Sequence, residues 1–406
     1  MKLLAGVRVL DVSGLIPGPY ASLLLADLGA DVIKVESRLG DLLRQVPPLV
    51  AQRSAYFLSL NRNKRSLGLD LKKAAGRDLF LDLARQCDVV IEGFRPGRAE
   101  RLGIGFEALR RVNPRLVYCS ISGFGQTGPD AGRAGHDLTY LARSGILGLT
   151  GTADGVPVIP PVQLADLTAG TTAALAICGA LFARERSGEG SYLDISMLES
   201  VAAWMSIHLE AHRAGATAER GAMPLTGRYP FYSVYRTADG GHVALGALEP
   251  LFWRDFCRAV GRPDLAGLQL AQGAERERVF KELAAIFAGR SRQEWVELIR
   301  ANDLAAEPVA DLEEVLADPQ LYARGAILVL VHPEEGELVQ VGCPIQGEPA
   351  SPPELRLPPD LGADTRQVLA EILDLEEETI DNLIAARVVF GPEEADPRLI
   401  APQELP

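Results

Sequence analysis

The sequence predicts an α/β protein, with a large domain built on a parallel sheet and a smaller α+β domain. Three observations carry this expectation. The first 36 residues read strand, helix, strand; the strand-and-turn pattern recurs as far as Met197; and from Phe231 short paired strands give way to amphipathic helices.

Val7 to Val12 is a short apolar strand with an acid, Asp11, inside it, and it ends in the tight turn Ser13 to Pro19. Tyr20 to Leu28 carries a helical pattern that stops at Gly29, and Asp31 to Glu36 is a second strand. Strand, helix, strand in so short a stretch is a βαβ unit, which implies parallel pairing. The turn lacks G-x-G-x-x-G, so no nicotinamide site is read from it. Leu79 to Gln86 is amphipathic, Val89 to Glu92 is a buried strand, and Gly93-Phe94-Arg95-Pro96-Gly97 is the turn after it. Leu116 to Ser122 is a further strand, closed by Gly123 to Pro129. Ligands of open α/β sheets bind beyond the carboxyl ends of the strands, so these turns converge on one crevice. Gly145 to Pro161, rich in Gly, Thr, Val and Pro, reads as a loop. Asp166 to Glu185 is an Ala-rich helix, Tyr192 to Met197 returns to the sheet, and Leu198 to Arg213 is helical.

Two strands, Phe231 to Tyr235 and His242 to Leu245, flank the turn Ala238-Asp239-Gly240-Gly241, and helices are expected over 250–262, 275–288 and 292–302. Ile327 to His332 is a strand, 349–359 is extended, and 365–375 and 377–386 are terminal helices. The expected organisation is a large domain over 1–213, a linker over 214–230, a small domain over 231–320, a return segment over 321–390 completing the large domain, and a poorly ordered tail over 391–406.

A length of 406 residues favours two domains, and 47% hydrophobic with 23% charged residues is an ordinary globular composition. The net charge of −13 argues against a general nucleic-acid or anionic-membrane surface while permitting a local basic pocket. The five cysteines form no CxxC pair and have no histidine nearby, so they read as reduced thiols, and no metal site is expected. The N-terminus has too short an apolar run for a signal peptide, no uninterrupted apolar segment approaches the roughly 20 residues of a membrane span, and the C-terminus is not a peroxisomal address. A cytoplasmic protein is expected.

Ala134 to Gly170 holds the candidate chemistry: His136 and Asp166 lie thirty positions apart, each beside a glycine and an apolar run. His136 is either a satisfied core histidine or a ligand-facing one. Asp166 either caps the helix that follows or acts as a base or nucleophile, with a pKa lowered by the helix dipole. Glu249, where a strand turns into an aromatic-rich helix, carries the same two readings. The stretch from Arg38 to Arg65 holds Arg38, Arg44, Arg53, Arg62, Lys64 and Arg65 against the single Asp41. It is a solvated loop or a phosphate-binding rim, since guanidinium groups bind phosphate oxygens in pairs. Arg95, on a turn after a buried strand, is expected to face the crevice. His208, His212, His242 and His332 have no motif around them and read as structural or surface residues.

Asn61-Arg62-Asn63-Lys64-Arg65-Ser66, Glu92 to Gly97, Gly123 to Pro129, Gly135-His136-Asp137 and Ala165-Asp166-Leu167 occur in this order, and the series resembles the family III CoA-transferases from about residue 4 to about 388. The resemblance implies a Rossmann-like large domain joined to a small domain, and two chains interlocked as rings in a homodimer. Two chemistries share that scaffold. Transferases of the family use the aspartate matching Asp166 as a nucleophile and generally have an aromatic residue at the position of His136. The 2-methylacyl-CoA racemases have Gly-His-Asp there and a glutamate in a Leu/Ile-Glu-Pro context, which Leu248-Glu249-Pro250 matches; Pro224 to Tyr232 also looks racemase-like. The resemblance therefore implies an acyl-CoA racemase using His136, Asp166 and Glu249, with CoA carried as part of the substrate and no separate cofactor. It places Arg38, Asn63, Lys64, Arg65, Ser66, Val89, Arg95, Gly135, Asp137 and Tyr140 around that substrate, with a backbone N–H near Asp137 for the enolate oxygen. Transfer of CoA between carboxylic acids through Asp166 is the alternative.

Overall fold

The structure, a computed structural model, describes residues 2–50, 53–333, 336–346 and 355–394. The chain divides into two compact units, one of Met1–Ser144, Pro161–Trp204 and Gln320–Pro406, the other of Gly145–Pro160 and Met205–Pro319.

The first unit carries strands β1 (Arg8–Asp11), β2 (Asp31–Glu36), a short antiparallel pair β3 (Leu49–Val50) and β4 (Arg53–Ser54), then β5 (Lys64–Leu69), β6 (Val89–Glu92), β7 (Val117–Ser122) and β8 (Ser191–Ser196). The second unit contributes β9 (Tyr232–Arg236), β10 (His242–Gly246) and β11 (Ala306–Pro308). The chain then forms an antiparallel ribbon, β12 (Ile327–His332) with β13 (Gly336–Val341), and ends its regular strands with β14 (Val389–Phe390). Seven strands of the first unit make one sheet in the order β14-β5-β2-β1-β6-β7-β8, parallel except for β14. The chain runs outward from β1 through β2 to β5, then resumes on the other side with β6. A crevice therefore opens beyond the carboxyl ends of β1 and β6.

Strand residues alternate between two cores. Leu10, Ile33, Val35 and Val90 face helices Ala74–Arg85, Thr365–Leu373 and Glu377–Ala385, while Val9, Val32, Val89 and Ile91 face helices Pro17–Asp27 and Leu164–Ser187. Apolar residues on both faces are what a parallel sheet covered on both sides requires. The helix expected from Tyr20 starts at Pro17, because proline supplies the helical φ at a position with no intrahelical N–H bond to lose. Helix Leu164–Ser187 packs closely on it through small residues. A Cβ added at Gly170 would come within 2.7 Å of the Pro17 carbonyl oxygen. Against the expectation of no membrane-length segment, this 24-residue helix is long and apolar enough to cross one by length and composition, but half of its apolar window is buried inside the fold.

Two further differences from the sequence expectations have local causes. The helix expected over 198–213 is three pieces, Met197–Ala202, a 3-10 turn Ala203–Met205, and Ser206–Arg213. Residues 145–160, expected with the large domain, belong to the second unit, where Arg220 Nε donates to the Gly148 carbonyl at 3.1 Å. The second unit itself has a three-stranded antiparallel sheet, β11-β10-β9, around an aromatic core in which Trp253, Phe256, Phe287 and Trp295 stack in series. Both indole N–H groups are satisfied, by the Leu265 and Phe287 carbonyls. The extended segment expected over 349–359 lies partly, and the tail from 395 wholly, outside the described residues.

Candidate active site

Beyond the carboxyl ends of β1, β6, β7 and β8 lies a cavity of about 240 Å³, lined by Gly14, Leu15 and Pro17, by Gly93 to Pro96, by Ser122 and Gly123, and by Met197. The segment Ala131 to His136, with Tyr140 and Asp166, closes its wall. Arg95, Gly135, His136, Tyr140 and Asp166 are thus brought together at one cavity from positions far apart in sequence.

Each wall is fixed by identifiable bonds. The first turn hangs on buried charges: Asp41 Oδ1 accepts the Leu15 N–H at 3.1 Å, Lys34 Nζ pairs with Asp41 Oδ2 at 2.8 Å and donates to the Ser13 carbonyl at 3.1 Å. Leu15 sits there at a φ of 63°, a left-handed conformation costly to a branched side chain, so the turn is over-determined by these contacts. Burial pushes Asp11 up, but Lys34 and Lys64 outweigh it and hold the carboxyl below its usual range. The aromatic wall depends on two glycines. A Cβ at Gly123 would lie 2.2 Å from the Tyr140 hydroxyl oxygen and one at Gly135 2.8 Å from it, so only glycine leaves room for the ring, which also meets Phe124 edge-on at 5.2 Å.

Asp166 occupies the third position of helix Leu164–Ser187, and it is not the cap. That role falls to Asp137, whose Oδ1 accepts the N–H groups of Ala165 at 2.7 Å and Asp166 at 3.2 Å. The expected lowering of the Asp166 pKa by the helix dipole is corrected: burial, with the Asp137 charge added, pushes it up to about 7. The dipole's positive end is already occupied by the Asp137 carboxylate, so Asp166 meets desolvation and a like charge instead. Burial likewise raises Asp137, against the pull of the two N–H bonds it accepts. Tyr140 is raised by burial and the Asp166 charge, with Arg95 opposing, which sets all three in one electrostatic neighbourhood. His136 is exposed and not a core histidine. Its backbone N–H donates to Thr139 Oγ1 at 3.1 Å and its carbonyl accepts the Thr139 N–H at 2.8 Å, fixing it just before helix Asp137–Ser144.

Other expected residues lie elsewhere. The basic stretch is not an exposed rim around residues 63–66. Lys64 Nζ donates to Pro19 O and to Asn61 Oδ1, each at 2.9 Å, and lies 3.6 Å from the Asp11 carboxylate, and burial pulls its pKa down to about 7. Arg65 is paired with Asp31 and Glu371, Asn63 donates to Asp27 at 2.8 Å, and the Ser66 hydroxyl donates to Glu36 at 2.7 Å. These side chains tie β5 into the fold. Val89 opens β6, fully buried in the core at the strand end away from the cavity. Arg38 lies over the Phe390 ring and donates to the Glu394 carbonyl at 3.1 Å. Glu249 belongs to the second unit, exposed at the start of helix Pro250–Ala259, where its side chain makes no capping bond. Sequence reasoning missed Arg133 on the cavity wall, a residue whose only signal was one arginine in a Gly/Ala-rich turn. Among the described residues no group of three His, Cys, Asp or Glu is placed to hold a metal.

Residues 4–365 match CoA-transferase family III. The chain is 34% identical to the mouse protein named succinyl-CoA:glutarate CoA-transferase, over 96% of this chain and 91% of that protein. It is 36% identical to human alpha-methylacyl-CoA racemase, over 91% of this chain and 93% of that protein. The crystal structure of a CAIB/BAIF family protein from Brucella suis superposes with a TM-score of 0.77 at 32% identity, covering 91% of this chain and 99% of the other. With a parallel-sheet crevice where Asp166, His136 and Arg95 meet, and with the match spanning most of its length, this chain belongs to CoA-transferase family III.

Proposed function

We propose that the protein is a 2-methylacyl-CoA racemase or epimerase, moving a proton between the two faces of the α-carbon of an acyl-CoA thioester. The observation that carries the reading is that Asp166 and His136, two groups able to take and give a proton, line one cavity, with burial pushing the Asp166 carboxyl up to about 7. A group with a pKa near the working pH is present in both its proton-accepting and proton-donating forms, which is what reversible transfer needs. Asp166 takes the α-proton from one enantiomer while His136 delivers one to the opposite face, and the roles reverse for the other enantiomer. The enolate oxygen formed between the two steps is held by the Asp137 N–H, a first-turn donor of helix Asp137–Ser144 that has no intrahelical acceptor.

In this reading Glu249 supports His136, Arg95 receives an anionic part of the CoA moiety, and two chains interlock as a homodimer in the cytoplasm. CoA arrives and leaves with the acyl group, so no separate cofactor is needed. Relatives of both chemistries match at similar identity, so the choice rests on His136.

The test is to supply one enantiomer of a 2-methylacyl-CoA with no acceptor acid and follow its configuration by chiral separation. Racemisation to a mixture supports the proposal. Retention of configuration, together with CoA moved onto an added carboxylate, establishes the transferase instead.

A further inference from the structure

Glu92 ends β6 only 4% exposed, and the chemistry proposed for the cavity does not use it. Its neighbours in the strand, Val89 to Ile91, are wholly apolar and fully buried. A charge at such a depth is costly and packing alone does not call for one, since an apolar side chain of similar volume serves a core as well or better.

Its hydrogen bonds show what it joins. Oε2 accepts the Phe94 N–H at 2.7 Å, inside the turn that carries Arg95. Oε1 accepts the Ser120 hydroxyl from β7, and Ser120 Oγ accepts in turn from Gln126 Nε2 at 2.7 Å. The Gln126 backbone N–H then donates to the Asp194 carboxylate of β8 at 3.0 Å. This chain of bonds runs beneath the carboxyl ends of three adjacent strands and ties the turn Gly93 to Gly97 to the turn after Ser122. Both turns line the cavity. The carboxyl is raised to about 7 by burial, with the bonds from Ser120 and Phe94 opposing and the charges of Glu100 and Asp194 adding to the rise.

We infer that Glu92 is a positioning residue: through the Phe94 N–H it fixes the turn that presents Arg95 to the ligand, and through Ser120 it locks that turn to its neighbour on β7. The inference rests on Arg95 receiving an anionic group of the CoA moiety. Glu92 touches no ligand itself, so its effect passes through Arg95.

Binding of free CoA to the full-length protein, measured by calorimetry, tests this with Glu92→Ala, Glu92→Gln, Glu92→Asp, Arg95→Ala and the double variant Glu92→Ala/Arg95→Ala. Loss of the latch weakens CoA binding about ten-fold in Glu92→Ala, and on the Arg95→Ala background the same change costs no more than about two-fold. Glu92→Gln stays within about two-fold of wild type, because its amide oxygen accepts the Phe94 N–H and its NH2 reaches Ser120. Glu92→Asp keeps the charge but withdraws it from the turn, and it weakens binding even if the alanine variant fails to fold. Wild-type affinity in Glu92→Asp and Glu92→Ala, or full additivity with Arg95→Ala, overturns the inference while leaving Arg95 in place. Wild-type affinity in Arg95→Ala overturns the reading of Arg95 and the inference with it. A role in stability alone would lower the melting temperature of the Glu92 variants and leave CoA affinity unchanged, which also counts against the inference.

Discussion

Replacing Asp166 with Asn separates the cost of burying this carboxyl from its chemistry. The side chain keeps its shape and loses its charge. In the folded chain the pKa is pushed from an ordinary 3.8 to about 7 by burial and by Asp137. A raised carboxyl pKa means that the folded state keeps a proton the unfolded state has lost. The contribution of Asp166 to stability is therefore fully present below about 3.8 and is lost as the pH rises through about 7. The shift corresponds to an upper bound of about 4 kcal/mol, and partial solvent access reduces this to about 2–3 kcal/mol. Asp166→Asn is thus more stable than wild type by about 2–3 kcal/mol at pH 8, or about 3 °C in Tm for a chain of this size, and equal to it near pH 3.5. Thermal or urea unfolding of both proteins across this range, with activity followed in parallel, gives the comparison. If Asp166→Asn is no more stable than wild type at pH 8, the carboxyl is not held near neutrality and its assignment as a reversible proton carrier fails.

Three other perturbations follow from the same contacts. Asp137→Asn keeps an acceptor for the Ala165 and Asp166 N–H groups but removes a charge that raises Asp166, so the limb of the pH–rate profile governed by Asp166 moves to lower pH, as steady-state rates between pH 5 and 9 would record. Gly123→Ala drives a methyl group against the Tyr140 hydroxyl; it is expected to cost about 1–3 kcal/mol in stability, read by urea unfolding, and to reduce turnover at least about ten-fold by displacing the cavity wall. Asp27→Ala leaves the buried Arg62 guanidinium without its carboxylate partner and should destabilise the fold by about 3–5 kcal/mol in the same measurement, although Asp27 does not line the cavity.

In the large sheet β1, β2, β6, β7 and β8 were legible in the sequence, because a short cluster of apolar residues leaves a signature that needs no knowledge of partners. Strand β5 was hidden for the opposite reason. Its Lys64, Arg65 and Ser66 look like surface residues until Asp11, Asp31, Glu36 and Glu371 are brought to them, the last from more than three hundred residues away. What resembled a phosphate rim is an internal ionic framework, and no local pattern distinguishes the two. The members of the cavity were legible as motifs, His136, Asp166 and Arg95 each beside a turn, but the electrostatic character of Asp166 was not. The sign of its pKa shift depends on whether Asp166 or Asp137 meets the helix N-terminus, and only the path of the chain through 137–166 decides that. Glu92 was visible as an acid in a buried strand; its bonds to Ser120 and Phe94 depend on β6 and β7 being neighbours.

The proposed racemase moves a proton at the α-carbon of its substrate. Incubating the wild-type protein with a single enantiomer of a 2-methylacyl-CoA in deuterated water, without any acceptor acid, and reading the α-position by mass spectrometry and NMR tests it most directly. One deuterium is expected at the α-carbon of the product enantiomer, and the Asp166→Ala and His136→Ala variants are expected to form no labelled product enantiomer. An unlabelled α-carbon in the wild type, or labelled product enantiomer formed at the wild-type rate in either variant, would contradict this two-base transfer.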